Sequence, residues 1–239
     1  HESVDRALAN GYRRFDTSPL FSNEKALRSA FANLLPCYNL ERTDIFITSK
    51  LSKTHGMNPS DHLVYKMDQS LEKLGMEYID LLLISSSIES AVNLKEAWES
   101  LRSIQSEGLA MSIGVANFSM RQLQYIIEDS AFPSVHQLEW HPHRYNRELL
   151  KFCTNRDIHL QAYSPFGTPF ASKKRLFHNA LLNKLAQKYE VPISQIMLMW
   201  SLQQDVSVVT SSQKQEHLRE NIDFNLLLSS KDVEHNSSI

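Results

Sequence analysis

The chain has 239 residues, of which 42% are apolar and 22% charged, and its formal net charge is −2 at pH 7. That length buries a sizeable core and fits one barrel-sized domain over residues 1–239, while the near-zero charge offers no field for a polyanion and argues against a nucleic-acid partner. Two cysteines, Cys37 and Cys153, are too few and too far apart for a disulfide framework or a metal site, and the apolar runs are strand-length, so the expectation is a cytoplasmic protein with no membrane span and no metal.

The chain opens at His1 in what reads as a helix. The first apolar, branched run is RRFDT at 13–17, followed by an amphipathic stretch near 22–33. DIFITSK at 44–50 is the next strand candidate. A helix over 59–74 then puts Leu63, Met67, Leu71 and Leu74 on one stripe, with Asn58 and Pro59 as cap and first-turn residue and Gly75 as the stop. IDLLLIS (79–85) precedes a helix near 93–106 with Leu94, Ala97, Leu101 and Ile104 on one face. MSIGVAN (111–117), SVHQLEW (134–140), IHLQAYS (158–164) and VSVVTSS (206–212) complete seven strand candidates. Helical stretches near 119–128, 146–153, 178–189, 193–203 and 214–221 separate or follow them. The run SKKR at 172–175 reads as a solvated face or a phosphate-touching loop, and the polar tail 229–239 as fraying chain.

Strand–helix alternation with strands apolar on both faces predicts a parallel sheet covered by helices. A doubly wound dinucleotide fold would need a glycine-rich first turn, and the six glycines form no GxGxxG. A (β/α)8 barrel is therefore the expected fold class, with the missing eighth strand expected upstream of His1. In such barrels the reacting groups sit at the C-terminal strand ends. Those ends hold Asp16, Lys50, Ser85, Asn117, Gln137 with Glu139, Tyr163 with Ser164, and Ser211 with Ser212. Asp16 and Lys50 read equally well as a self-neutralising pair or as one that tunes a neighbouring acid.

Several segments, in order, resemble the aldo-keto reductases: GYRRFDTSPLFSNE, DIFITSKL, SLEKLGMEYIDLLLI, IGVANFSMRQLQYI, PSVHQLEWHP and AYSPFG. The resemblance implies NADP(H) or NAD(H) bound at the barrel mouth and hydride transfer to a small carbonyl compound. In that family a tyrosine donates the proton, a lysine paired with an aspartate lowers its pKa, and a histidine orients the carbonyl. Asp16 and Lys50 match two of these four positions; Phe21 stands for the tyrosine and Ser85 for the histidine. The cofactor positions implied are Asn117, Gln137, Tyr163 and Ser164, with Ala116 in place of a serine. Ser211, Ser212, His217, Glu220 and Asn221 fall on the segment that grips the adenosine 2′-phosphate, where Ser211 and His217 replace a lysine and an arginine.

Reduction of a carbonyl puts negative charge on its oxygen, so the site needs a proton donor there. Phe21 has none, and the Ser85 hydroxyl does not titrate near neutrality. The expectation is a weakened or redirected carbonyl reductase, with a non-catalytic regulatory module that binds a protein partner as the rival. His141 and His143 are expected to serve structure, Trp98 and Trp200 packing, Met197 and Met199 core filling, and Trp140 a substrate contact at the mouth. The short SSSIES stretch (85–90) implies an open substrate rim.

Overall fold

A computed structural model of the chain describes residues 1–52, 59–85, 91–127, 132–168 and 173–236. Seven strands occur among them: β1 (Arg14–Asp16), β2 (Phe46–Leu51), β3 (Ile79–Ser85), β4 (Ala110–Ala116), β5 (Val135–Glu139), β6 (His159–Tyr163) and β7 (Ser207–Val209). Their order in the sheet is their order in the chain. A doubly wound open sheet reverses that order at a switch point, whereas a barrel does not, so the topology is that of the (β/α)8 class. The helices between them are α1 (Glu2–Ala9), α2 (Glu24–Leu34), α3 (Pro59–Leu74), α4 (Ala91–Ser106), α5 (Met120–Ile127), α6 (Arg147–Thr154), α7 (Lys173–Phe177), α8 (Ala180–Tyr189), α9 (Ile193–Leu202), α10 (Gln215–Ile222) and α11 (Ser230–Asn236). Asn58, the expected cap of α3, lies outside the described residues, as do 86–90 of the serine-rich stretch.

The chain packs as two compact units, His1–His136 and Gln137–Ile239. In the first, parallel register pairs Asp16 with Thr48, Lys50 with Leu83, and Ser85 with Ala116. Alternate residues form an inner cluster of Leu81, Leu83 and Ala116 with Phe46 and Val135 against it. The opposite strand faces, Ile47, Leu51, Leu82, Ile84 and Val115, are also buried, and so are the helix stripes of α3 and α4. Burial on both faces is why these strands read as unbroken apolar runs. Truncating one of these leucines to alanine costs about 2–5 kcal/mol. Gly114 is required by close approach, since a Cβ there would sit 2.4 Å from the Val135 carbonyl oxygen. Below the strand ends, the Asp80 carboxylate accepts from Arg42 and from the Ile47 N–H, both at 2.7 Å, which pins β2 to β3.

In the second unit β6 and β7 pair in parallel, Gln161 with Ser207 and Tyr163 with Val209. Helix α9 is buried on every side from Gln195 to Ser201, with Met197 and Met199 in the core as expected. Lys173, Lys174 and Arg175 of the basic run are exposed on helix α7, in keeping with the solvated-face reading, whereas the tail expected to fray forms helix α11. The physical reason for α11 is Asp232, whose carboxylate accepts from Lys188 Nζ, Tyr189 Oη and Ser229 Oγ at 2.5–2.7 Å. Just before it, the Gln203 amide grips the chain at Leu228, donating to its carbonyl at 2.9 Å and accepting its N–H at 2.8 Å.

Candidate active site

The turn after β1 is built residue by residue from its sequence. Thr17 N–H extends the ladder to the Thr48 carbonyl at 2.8 Å, and its hydroxyl donates to Asn23 Oδ1 at 2.7 Å. Ser18 then caps a three-residue 3-10 turn, Pro19–Phe21, accepting the Leu20 N–H at 3.3 Å; Pro19 presets the first φ of that turn. The Ser18 hydroxyl also donates to the Lys50 carbonyl at 3.0 Å, tying the turn to the end of β2. Ser22, at φ +53°, closes it. The outcome is that Leu20 and Phe21 point outward, 75% and 56% exposed.

Behind them Lys50 Nζ donates to Asp16 Oδ1, the two side chains being 16% and 15% exposed. The ammonium lies 5.8 Å from the centre of the Phe21 ring, within cation–π range. A fixed positive charge therefore stands beside residue 21, and residue 21 has no proton to give. Ser85 ends β3 half-buried, and Asn117 follows β4, exposed and in the left-handed region at φ +60°, which asparagine tolerates.

In the second unit Gln137 is buried and donates from its amide to Gln161 Oε1 at 2.7 Å. Two residues on, Glu139 is held between Arg144 at 2.9 Å and His141 Nε2 at 3.3 Å. His141 Nδ1 accepts the His143 N–H at 3.2 Å, so its proton is assigned to Nε2, facing Glu139. Burial pushes the His141 pKa down, opposed by the Glu139 carboxylate, and burial together with Arg175 lowers that of His143. Both imidazoles serve the turn, as expected, and neither is a spare acid. Tyr163 ends β6 half-buried, its carbonyl accepting from Trp140 N–H at 3.4 Å, and Ser164 follows at φ +47°. Beyond β7, Ser211 is exposed; Ser212 Oγ accepts the Lys214 N–H at 3.1 Å and lies 3.4 Å from His217 Nδ1 at the start of α10. The Glu220 carbonyl accepts from Gln195 at 3.1 Å, and Asn221 is buried.

All 239 residues match the model of the aldo/keto reductase family. The chain belongs to that family. It is 31% identical over 236 residues to the glyoxal reductase of Bacillus subtilis, covering 98% of this chain and 80% of that protein. It is also 31% identical over 222 residues to the methylglyoxal reductase DkgA of Escherichia coli K12, covering 92% and 77%. Among solved structures, the aldo/keto reductase of Brucella melitensis superposes with a TM-score of 0.86 at 31% identity, covering 99% of this chain and 88% of that one. MGS-M4, an aldo-keto reductase from a deep-sea metagenome, gives 0.89 at 30% identity, with 99% and 84% covered.

In this aldo-keto reductase the structure brings Asp16, Lys50 and Phe21 together in one unit, and joins Ser212 to His217 in the other. It corrects the expectation for Trp140, which is fully buried, stacked 6.2 Å from Trp200 and edge-on to Tyr145, and not available at a mouth. Ser18 and Gln161 are the supporting residues that the sequence reading missed. The Ser-Pro pair opening the turn was a usable signal for the first; Gln161 carries none, because its role comes only from the strand beside it.

Proposed function

We propose that this aldo-keto reductase reduces a small aldehyde or ketone with NADPH or NADH, at a rate lowered by Phe21 and Ser85. The single observation that carries the reading is the Lys50–Asp16 ion pair set 5.8 Å behind a residue-21 ring that lacks an oxygen. The side chains of each unit are of kinds that suit a nicotinamide dinucleotide. In the first unit the exposed Asn117 carries an amide, and in the second the half-buried Tyr163 carries a flat ring, while Ser211, Ser212 and Lys214 at the start of α10 are hydroxyls and a cation for a phosphate. With Ser211 and His217 where the family likeness has a lysine and an arginine, preference for the 2′-phosphate is weak. When bound, the reduced nicotinamide supplies the hydride. The chain's own part is to hold the carbonyl near Lys50, whose charge stabilises developing negative charge on oxygen, with Ser85 as a hydrogen-bond donor.

The test is turnover of an aldehyde panel by wild type and by Phe21→Tyr with Ser85→His, beside calorimetric titration of NADP+ and NAD+. Wild type is expected to bind nucleotide and turn over slowly, and the double variant to gain about 10²-fold or more. Brisk wild-type turnover overturns the lowered rate. Absence of nucleotide binding overturns the oxidoreductase reading and favours the partner-binding module.

A further inference from the structure

Asn179 ties two parts of the second unit together with the two atoms of one amide. Its Oδ1 accepts the Leu181 and Leu182 N–H groups at 2.9 and 3.1 Å and so caps α8, which fixes the amide and leaves Nδ2 facing His143 Nε2 at 3.3 Å. Nδ2 can only donate, so Nε2 accepts there and the neutral ring carries its proton on Nδ1. The contact exists only while His143 is neutral; a protonated ring sets one N–H against another. The neighbours add repulsion. Burial, and after it the Arg175 guanidinium of α7, lower the His143 pKa. His141 stands edge-on with ring centres 6.4 Å away, and Glu139 is taken up by Arg144 and His141. His178, on the link to α8, is turned to the Lys174 carbonyl at 2.7 Å.

The corner held in this way continues into the turn after β6. Phe177, the last residue of α7, packs edge-on against Phe166 with ring centres 6.3 Å apart. Phe166 lies in a turn that the Gly167 N–H closes on the Ser164 carbonyl at 2.8 Å, directly after Tyr163. The Lys173 N–H adds a second tie, to the Thr168 carbonyl at 3.1 Å. We infer that the His143–Asn179 contact is a proton-operated latch: the neutral ring holds the α7–α8 corner and, through Phe177 and Phe166, the turn that presents Ser164 beside Tyr163, and protonation releases both. The part that concerns nucleotide rests on the proposed function above; the latch itself does not. A released ring takes up its proton with the ordinary pKa of about 6.5, whereas the latched ring resists, so the latch is complete above that pH and is lost as pH falls below it. One pH unit below, the released form gains by up to about tenfold.

The experiment measures amide-exchange protection factors across residues 176–183 and the calorimetric Kd for NAD+, at pH 7.5 and 5.5, in wild type, His143→Gln and Asn179→Asp. Wild type is expected to lose about three- to tenfold in protection at the lower pH and to bind NAD+ at least about threefold more weakly. His143→Gln offers Asn179 an acceptor that does not titrate, and changes by less than about 1.5-fold in both readouts. Asn179→Asp keeps the cap and gives the imidazolium an acceptor, so its protection rises as pH falls. Wild type and His143→Gln responding alike, or Asn179→Asp losing protection as wild type does, overturns the latch. Protection that falls in wild type while Kd holds steady overturns the coupling to the turn after β6. Absence of NAD+ binding at both pH values removes the oxidoreductase reading instead, and the exchange data then decide the latch alone.

Discussion

The turn after β1 and the turn after β5 distribute their chemistry in opposite ways. The first leaves two apolar side chains, Leu20 and Phe21, in solvent and keeps its ion pair behind them. The second commits its titratable groups: buried His141 and half-buried Glu139 and His143 are bonded to one another, to Arg144 and to Asn179, and the ring of Trp140 is sealed inside. On the proposed function, proton transfer at the first turn needs the reverse, an ionisable group partly open to substrate. Abundance of histidine and glutamate near a strand end is thus no guide to acid–base capacity. What counts is whether the group has a proton that the fold has not already committed.

That contrast makes graded expectations. Phe21→Tyr in the first turn, combined with Ser85→His at the end of β3, is expected to raise kcat/KM for an unactivated aldehyde by about 10²-fold or more, measured as nucleotide oxidation. The same turn contributes little to stability: Phe21→Ala is expected to shift the urea-unfolding free energy by less than about 1 kcal/mol, since a half-exposed ring loses only a weak cation–π contact. At the second turn, His141→Ala is expected to cost about 3 kcal/mol in the same assay, because it empties a buried site and strands the His143 N–H. Equal losses at the two positions would break the distinction.

His136, in the strand that feeds the second turn, gives a smaller, pH-dependent effect. It is fully buried, and burial lowers its pKa from 6.5 to about 4 against a weaker opposing pull from the Phe118 backbone. The unfolded chain therefore binds a proton between those values while the folded chain does not, so stability falls as pH drops through that window. Going from pH 7 to pH 5 is expected to remove about 2 kcal/mol, a loss that His136→Phe abolishes in parallel thermal melts. Smallest is the clamp on α11. Asp232, held down to a pKa of about 2 chiefly by Lys188 and then by Tyr189 and Ser229, contributes fully above 3.8 and fades as pH falls toward 2. Asp232→Asn is expected to speed amide exchange within α11 by up to about fivefold at pH 7, leaving the rest of the molecule unchanged.

The longer strands are readable as unbroken apolar runs, and the long helices because each is long enough to show its period. The stripe Leu63, Met67, Leu71 and Leu74 marks α3 without help from the rest of the chain, and its bounds agree with the structure. Helices α7 and α11 were not readable, having five and seven residues; α11 in particular depends on side chains more than 40 positions away. Asp16 and Lys50 were visible as strand-end charges, but their pairing across 34 residues depends on the register of β1 against β2. Trp140 was misplaced because its position just past a strand end suggests a mouth, whereas its ring belongs to an aromatic group with Trp200 and Tyr145.

The Gln203 amide acts at Leu228 as a rung of sheet would, giving one hydrogen bond and taking one. Because it both gives and takes a hydrogen bond at Leu228, a carboxylate of the same size cannot replace it: the substitution Gln203→Glu leaves two acceptors there, one of them facing the carbonyl oxygen of Leu228. The peptide that displays Phe224 and Leu227 to solvent is thus fastened, at its far end, by a two-pronged staple that an ionised carboxylate of that length does not reproduce.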